Sequence, residues 1–270
     1  ARAVRDGARP TPPAAGRSEI GELAAAFEEM RDALEGRQYV ENYVQTLTHE
    51  MKGPLSALQG AAELLQEDMP PAERTRFLAH IQNETARLRH IVERMLKLAS
   101  LEGRKALREV EPVDVAVLLH DVAESLAPLL ATEGIALDIQ AAGCPQVVGE
   151  RFLLRQSLVN VLQNAVEFSP PGARIAVHVE VERDATGAEK VAIRVLDEGP
   201  GIPAYALGRV FERFYSLERP RTSRRSSGLG LTFVREAMAL HGGEAHAENR
   251  PQGGAQITLR IPVRPETKTT

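Results

Sequence analysis

The sequence predicts an α+β chain in two parts. An antiparallel helical hairpin pairs with a second copy into a dimeric four-helix bundle, and an α/β sandwich follows it. Three observations carry this expectation. Apolar residues recur at alternating steps of four and three between residues 47 and 98. A polar stretch ending at Pro112 separates that region from the remainder. Beyond it, helical segments alternate with short β-type runs, the order of a mixed sheet covered by helices on one face.

Residues 1 to 16 are rich in Arg, Ala, Pro and Gly, and Pro10, Pro12 and Pro13 exclude a regular helix there. Ser18 is a candidate N-cap for a segment with Ile20, Leu23, Phe27, Met30 and Leu34 at helical spacing. One long helix is expected from Arg37 to Asp68, with a heptad seam of Leu47, Met51, Pro54, Leu58, Ala61 and Leu65. Met69, Pro70 and Pro71 end it. A second helix, from about Ala72 to Leu101, repeats the spacing at Ile81, Glu84, Leu88, Ile91, Met95 and Leu98. A lone hairpin exposes its apolar stripe and a pair buries it, so the chain is expected to be a homodimer.

Residues 102 to 113 read as a hinge. After it come a helix over Val115 to Ala131, strands over Ile135 to Gln140 and Gln146 to Val148, and a helix over Arg151 to Phe168. A hairpin of Arg174 to Glu182 with Lys190 to Leu196 follows, then a helix beginning near Gly228 and a last hairpin over Glu244 to Pro262. The expected division is 1–36, 37–101, 102–113, 114–262 and a polar tail over 263–270.

Composition excludes some functions. Lys plus Arg is 33 against 37 Asp plus Glu, a net charge of -4, so there is no basic excess of the kind nucleic-acid binders carry. Cys144 is the one cysteine, which rules out an intrachain disulfide and a cysteine-based zinc site. No apolar run is expected to reach the roughly 18 residues of a membrane helix. The chain does not begin with Met and reads as a piece of a longer protein.

Four sites carry chemistry. His49 lies two residues past Leu47, about 200° round the helix from the seam, so it faces solvent. Glu50 follows it, and Pro54 one turn later costs the helix about 3 kcal/mol. Asn160 and Asn164 lie four apart on one helical face, which suits a metal or phosphate more than a helix interior. Asp197-Glu198-Gly199-Pro200-Gly201-Ile202-Pro203 follows an apolar strand; its glycines admit close approach of a ligand, and its Asp can accept from an exocyclic amine. Ser226-Ser227-Gly228-Leu229-Gly230-Leu231 is a Gly-rich turn opening a helix, a phosphate site by its N–H groups and dipole. Arg219, Arg221, Arg224 and Arg225 precede it and could clamp a phosphate.

Each signal alone also reads as ordinary structure: a solvated His, two surface Asn, a turn, an N-cap. In this order they resemble the boxes of the two-component sensor histidine kinases. Thr48 to Leu55 is similar to the H box, Asn160 to Ser169 to the N box and Asp197 to Pro203 to the G1 box. Phe211-Glu212-Arg213-Phe214 is similar to the F box and Ser227 to Leu231 to the G2 box. Ser18 to Met30 looks like the end of a HAMP relay domain. Phe211 to Arg235 is most similar to a carbon-source-responsive branch.

The resemblance implies a sandwich of the gyrase/Hsp90/histidine kinase/MutL type, in the cytoplasmic portion of a bacterial inner-membrane protein. It implies ATP and Mg2+ as cofactors, His49 as phosphoacceptor and Glu50 as its acid/base partner. Asn164 holds the metal with Asn160 beside it, and Asp197 takes the adenine amine. Gly199, Gly201 and Ile202 shape the pocket, while Ser227, Gly228, Leu229, Gly230 and Leu231 surround the phosphates, with Arg213 nearby. The implied partners are a second copy, a response regulator, and a membrane reached through segments outside this chain; nucleic acid is not among them. Glu167, Arg225 with Ser226, and Gly53 depart from the pattern, which carries a Lys, glycines, and a Thr or Asn there. An ATP hydrolase of the same superfamily would carry a Glu as base where Asn160 stands; a dead scaffold would not keep these residues.

Overall fold

The computed structural model describes residues 48, 51–102, 104, 106–141, 143, 145–183, 187–218 and 228–263. Outside them lie the expected helix of residues 18–34, residues 37–47 of the first long helix, His49, Glu50, Cys144 and the turn at 184–186. The arginines at 219, 221, 224 and 225, Ser226, Ser227 and the tail from 264 also lie outside. The chain divides into two units, Ala1–Ala86 and Arg87–Thr270.

In the first unit, α1 covers residues 51–64 and α2 begins at Pro71. The expected seam is the less exposed stripe of α1: Pro54 and Ala61 are buried, Met51, Leu58 and Leu65 are half-buried, and Leu55 and Leu64 are exposed. The helix stops short of the expected Asp68. Gln66 N–H bonds Glu63 O and Glu67 N–H bonds Leu64 O, so the last turn tightens to i→i+3 bonds before the prolines are reached. Pro71 occupies the first position of α2, where a missing N–H costs nothing. The Arg74 guanidinium reaches back to Leu65 O at 3.4 Å.

α2 runs Pro71–Glu102 and gives residues 87–102 to the second unit, where Ile91, Met95, Leu98 and Leu101 are buried. The unit continues with β1 (Glu111–Val113), α3 (Val115–Glu133), β2 (Ala136–Gln140), β3 (Val147–Gly149), α4 (Arg151–Phe168), β4 (Arg174–Arg183) and β5 (Glu189–Leu196). A short α5 (Ala204–Leu207), then α6 (Gly230–Leu240), β6 (Glu244–Asn249) and β7 (Ala255–Pro262), complete it. The large sheet has the order β2-β4-β5-β7-β6, with β2 parallel to β4 and the other pairs antiparallel.

Strand alternation gives that sheet two unlike faces. Val177, Val179, Val191, Ile193, Val195, Ile257, Leu259 and Ile261 are buried on one. Ile193, Leu259 and Ile261 meet Leu118 of α3, Leu154 and Leu158 of α4 and Met238 of α6. The opposite face carries ion pairs instead: Arg194 with Glu180 and Glu182, and Arg260 with Glu182 and Glu244. Helices therefore cover one face, as the sequence predicts.

Three expectations change. The stretch 102–113 is not a free polar hinge: Glu111–Val113 pairs antiparallel with Val147–Gly149, and the Arg104 guanidinium and Arg108 N–H bind Glu150. A short strand with a proline in it has too little pattern to be read from sequence. Second, α3 is long and apolar enough to cross a membrane by length and composition. It reads that way because it is a core helix, burying Val115, Leu118, Leu119, Val122 and Leu126. Third, α5 was not expected; four residues give no helical period.

Candidate functional site

The sheet, α4 and the turn before α6 enclose a cleft of about 990 Å³, counted out to its open mouth. Asn160 and Asn164 reach it from α4, Asp197 from the end of β5, Gly201 and Ile202 from the following loop, and Gly228, Gly230 and Leu231 from the start of α6. Eight of the residues singled out in the sequence thus share one wall. Gly199 and Leu229 sit just behind it, and Arg213 is half-buried outside the lining. His49, Glu50 and Ser227 lie outside the described residues.

Asp197 is 7 % exposed, at the apolar end formed by Val195, Ala255 and Ile257. Its Oδ1 accepts from the N–H of Gly199 and of Ala255, both at 2.9 Å. No described residue bonds Oδ2, which leaves that oxygen to the cleft. Burial pushes this carboxyl above its usual range, while the two N–H bonds and the Arg250 charge pull it back. Arg250 also donates to the Asp197 carbonyl oxygen.

Glycines let the chain close round this carboxylate. A Cβ on Gly199 would lie 2.7 Å from the Phe168 carbonyl oxygen, and one on Gly254 would run into the Asp197 backbone. Gly201, at φ +78, would meet Asn249 Oδ1 at 2.9 Å. The same Asn249 amide clamps Ile202, accepting its N–H and donating to its carbonyl, both at 2.7 Å. The G1 loop is therefore held rigid by β6.

The two asparagines of α4 differ. Asn160 is buried, its Oδ1 accepting from Gln156 Nε2 at 3.2 Å and its Nδ2 donating to Gly230 O at 3.1 Å. Both ends of that amide are occupied, one within α4 and the other tying α4 to the start of α6. Asn164 makes no hydrogen bond to any described residue and lines the cleft one turn away. A free amide oxygen suits a hard cation or a phosphate-bound one.

Phe211 and Phe214 are joined to Gly228 and Thr232. Phe214 N–H bonds Gly228 O at 3.2 Å, and Thr232 Oγ1 donates to Gly228 O and Phe211 O. Phe214 is the one described non-glycine residue with positive φ, at 61°, a strained state for a bulky side chain. A Cβ on Gly228 would sit 2.5 Å from the Phe214 carbonyl carbon, so the F and G2 boxes can dock only through glycine.

Sequence reasoning missed Arg94, Phe168, Tyr215 and Leu217, which also line the cleft. Arg94 belongs to α2, where it reads as one more solvated charge. Tyr215, stacked under the Arg209 guanidinium at 4.5 Å, sits in a loop without a period.

Family models match three regions. The histidine kinase-, DNA gyrase B- and HSP90-like ATPase family matches residues 149–265, the His Kinase A (phospho-acceptor) domain 39–104 and the HAMP domain 1–36. Sensor protein CreC of Escherichia coli (strain K12) is 44% identical over 254 residues, 94% of this chain and 52% of CreC. The chain spans about half the length of the curated relatives it matches. Full-length ShkA in complex with AMPPNP is 28% identical at a TM-score of 0.58, over 82% of this chain and 45% of that one. Histidine kinase ThkA, in complex with response regulator protein TrrA, shares the fold at a TM-score of 0.70 and 24% identity, over 93% of this chain and 70% of that one.

Proposed function

Because this chain belongs to the two-component sensor histidine kinases, we propose that it transfers the γ-phosphoryl group of ATP to His49 and passes it on to an Asp of a response regulator. The observation that carries the nucleotide half is the Asp197 carboxyl. One oxygen is fixed by two main-chain N–H groups, and the other faces the apolar end of the cleft, where a buried acceptor selects an amine-bearing base. ATP is the ligand of that cleft in this reading, with adenine against Asp197 and phosphates towards Asn164, Gly228 and Gly230.

The protein supplies position and charge more than covalent help. Gly228 and Gly230 bring main-chain N–H groups at the start of α6 towards the phosphates. Asn164 would hold Mg2+, which when bound offsets charge on the phosphates. An imidazole can be neutral near pH 7, so Nε2 of His49 can attack while Glu50 orients Nδ1–H. The P–O bond to ADP breaks as the P–N bond to His49 forms. Asn160 offers no carboxylate to activate water, and its amide is already spent on Gln156 and Gly230, which disfavours the hydrolase reading.

The His Kinase A match supports a homodimer, and Leu55 and Leu78, which lie off the seam, leave apolar surface about half exposed on the hairpin. The HAMP match supports attachment to the bacterial inner membrane through segments outside this chain, with this portion on the cytoplasmic side. Incubation with [γ-³²P]ATP should give acid-labile label that is absent in His49→Ala. Persistent label in that variant would reject the assignment.

A further inference from the structure

Arg94 enters the cleft from α2, not from the nucleotide fold itself. A run of hydrogen bonds ties its helix to the cleft. Lys97 Nζ donates to Gln156 Oε1 at 3.2 Å, Gln156 Nε2 to Asn160 Oδ1 at 3.2 Å, and Asn160 Nδ2 to Gly230 O at 3.1 Å. Leu98 and Leu101 are buried beside this run, so the C-terminal part of α2 is packed and not merely near. Arg94 lies one helical turn before Lys97, and Asn160 lies one turn after Gln156. Arg94 lines the same cleft as Asn160 and Asn164.

Among the described residues that line the cleft, Arg94 is the one Lys or Arg, and Asp197 is the one carboxylate. A triphosphate carries several negative charges, and a guanidinium on the wall is the group best shaped to take phosphate oxygens. We infer that Arg94 binds the triphosphate of the nucleotide, so that the second helix of the hairpin supplies a ligand to the substrate. The inference rests on the ATP reading of the cleft and adds the residue that makes phosphate recognition depend on α2.

The competing account is a solvated charge on a packed helix, which would not distinguish ligands. The test compares AMPPNP with adenosine, each with Mg2+, by calorimetry on the full chain. Arg94→Gln should weaken AMPPNP roughly tenfold, as loss of a charged hydrogen bond does. Adenosine affinity should stay within about twofold, since the base end is untouched. Arg94→Lys should recover most of the AMPPNP loss. Equal affinity of native chain and Arg94→Gln for AMPPNP overturns the inference alone, as does a parallel loss for adenosine. A native chain that binds neither ligand overturns the ATP reading together with it.

Discussion

The main-chain N–H of Glu150 donates to Nε2 of His241 across 3.0 Å. That bond makes Nε2 an acceptor, so the proton sits on Nδ1 and is donated to Ala237 O at 2.7 Å. The ring is 2 % exposed and neutral. A Cβ on Gly149 would come within 2.6 Å of it, so glycine there lets the imidazole dock between β3 and the end of α6. The Glu150 side chain turns the other way and takes the Arg104 guanidinium through both oxygens and the Arg108 N–H. One residue thus ties the stretch after α2 to the helix whose other end opens at the cleft.

Stability should fall with acid in a window set by His241. Burial holds its pKa below 6.5, although the Ala237 bond and the Glu150 charge push it up. The unfolded chain then binds more protons than the folded one. The contribution is complete above pH 6.5 and is lost as pH drops from there towards the folded value. One proton gives a slope of at most about 1.4 kcal/mol per pH unit. His90, also lowered, first by burial and then by Arg94, acts in the same direction, so the comparison must be between native and variant. Glu150 loses its own contribution lower, below 4.5, because the Arg104 and Arg108 bonds outweigh its burial. His241→Gln should flatten urea-derived stability between pH 6.5 and 5; equal slopes in the two proteins would reject the account.

Arg104→Ala should cost about 3 kcal/mol, since it strands a buried carboxylate. The two side chains are 9% and 11% exposed, and the pair is bidentate with its shorter bond at 2.6 Å. Adding Glu150→Gln to that variant should recover part of the loss by removing the charge. A loss under about 1 kcal/mol in urea unfolding would place this pair with ordinary surface bridges.

Much of this was legible because the chemistry imposes a pattern. The seam of α2 reappears as buried Ile91, Met95 and Leu98, and α4 has the bounds read from its period. Asp197 and its glycines stand together in sequence because one tight turn builds that wall. Contacts between distant segments leave no such period. Gly149 against His241, Arg250 on the Asp197 carbonyl, and Lys97 through Gln156 to Asn160 each join elements 50 or more residues apart. The hinge expectation at 102–113 failed for the same reason: polar residues there looked solvated, and their partner Glu150 is about 40 residues further on.

Asp197→Asn should weaken ATP binding by roughly tenfold to a hundredfold, the range for losing a bond to a charged group. The Oδ1 bonds to Gly199 and Ala255 can persist through the Asn oxygen, but an NH2 would then face the cleft in place of Oδ2. A donor there opposes an amine. Asn164→Asp should instead lower turnover more than affinity, because it changes the charge and geometry of the metal ligand. Unchanged calorimetric affinity in Asp197→Asn would overturn the assignment of this carboxyl to the base.

The last prediction concerns Gly53. In the family this chain resembles, the position four after the phosphorylatable His carries a Thr or Asn that orients the water attacking the regulator's phosphoaspartate. Gly53 has no side chain for that, and its N–H lies within the helical run of α1, where such groups serve the helix. The native chain should therefore be a weak phosphatase towards its regulator. Nothing in the surroundings demands glycine: a Cβ there meets no atom within 4 Å, and the residue is exposed at negative φ. Gly53→Thr should thus fold normally and gain a few tenths of a kcal/mol in helix propensity. Ser56 is also exposed on α1, about 20° from His49 by helical angle, and is the residue that could hold water instead. The measurement is loss of label from phosphorylated regulator with ADP present. Gly53→Thr should speed it without raising autophosphorylation, and Ser56→Ala should leave the native rate unchanged. Fast dephosphorylation by the native chain rejects the prediction, and a slowing by Ser56→Ala would move the role to that serine.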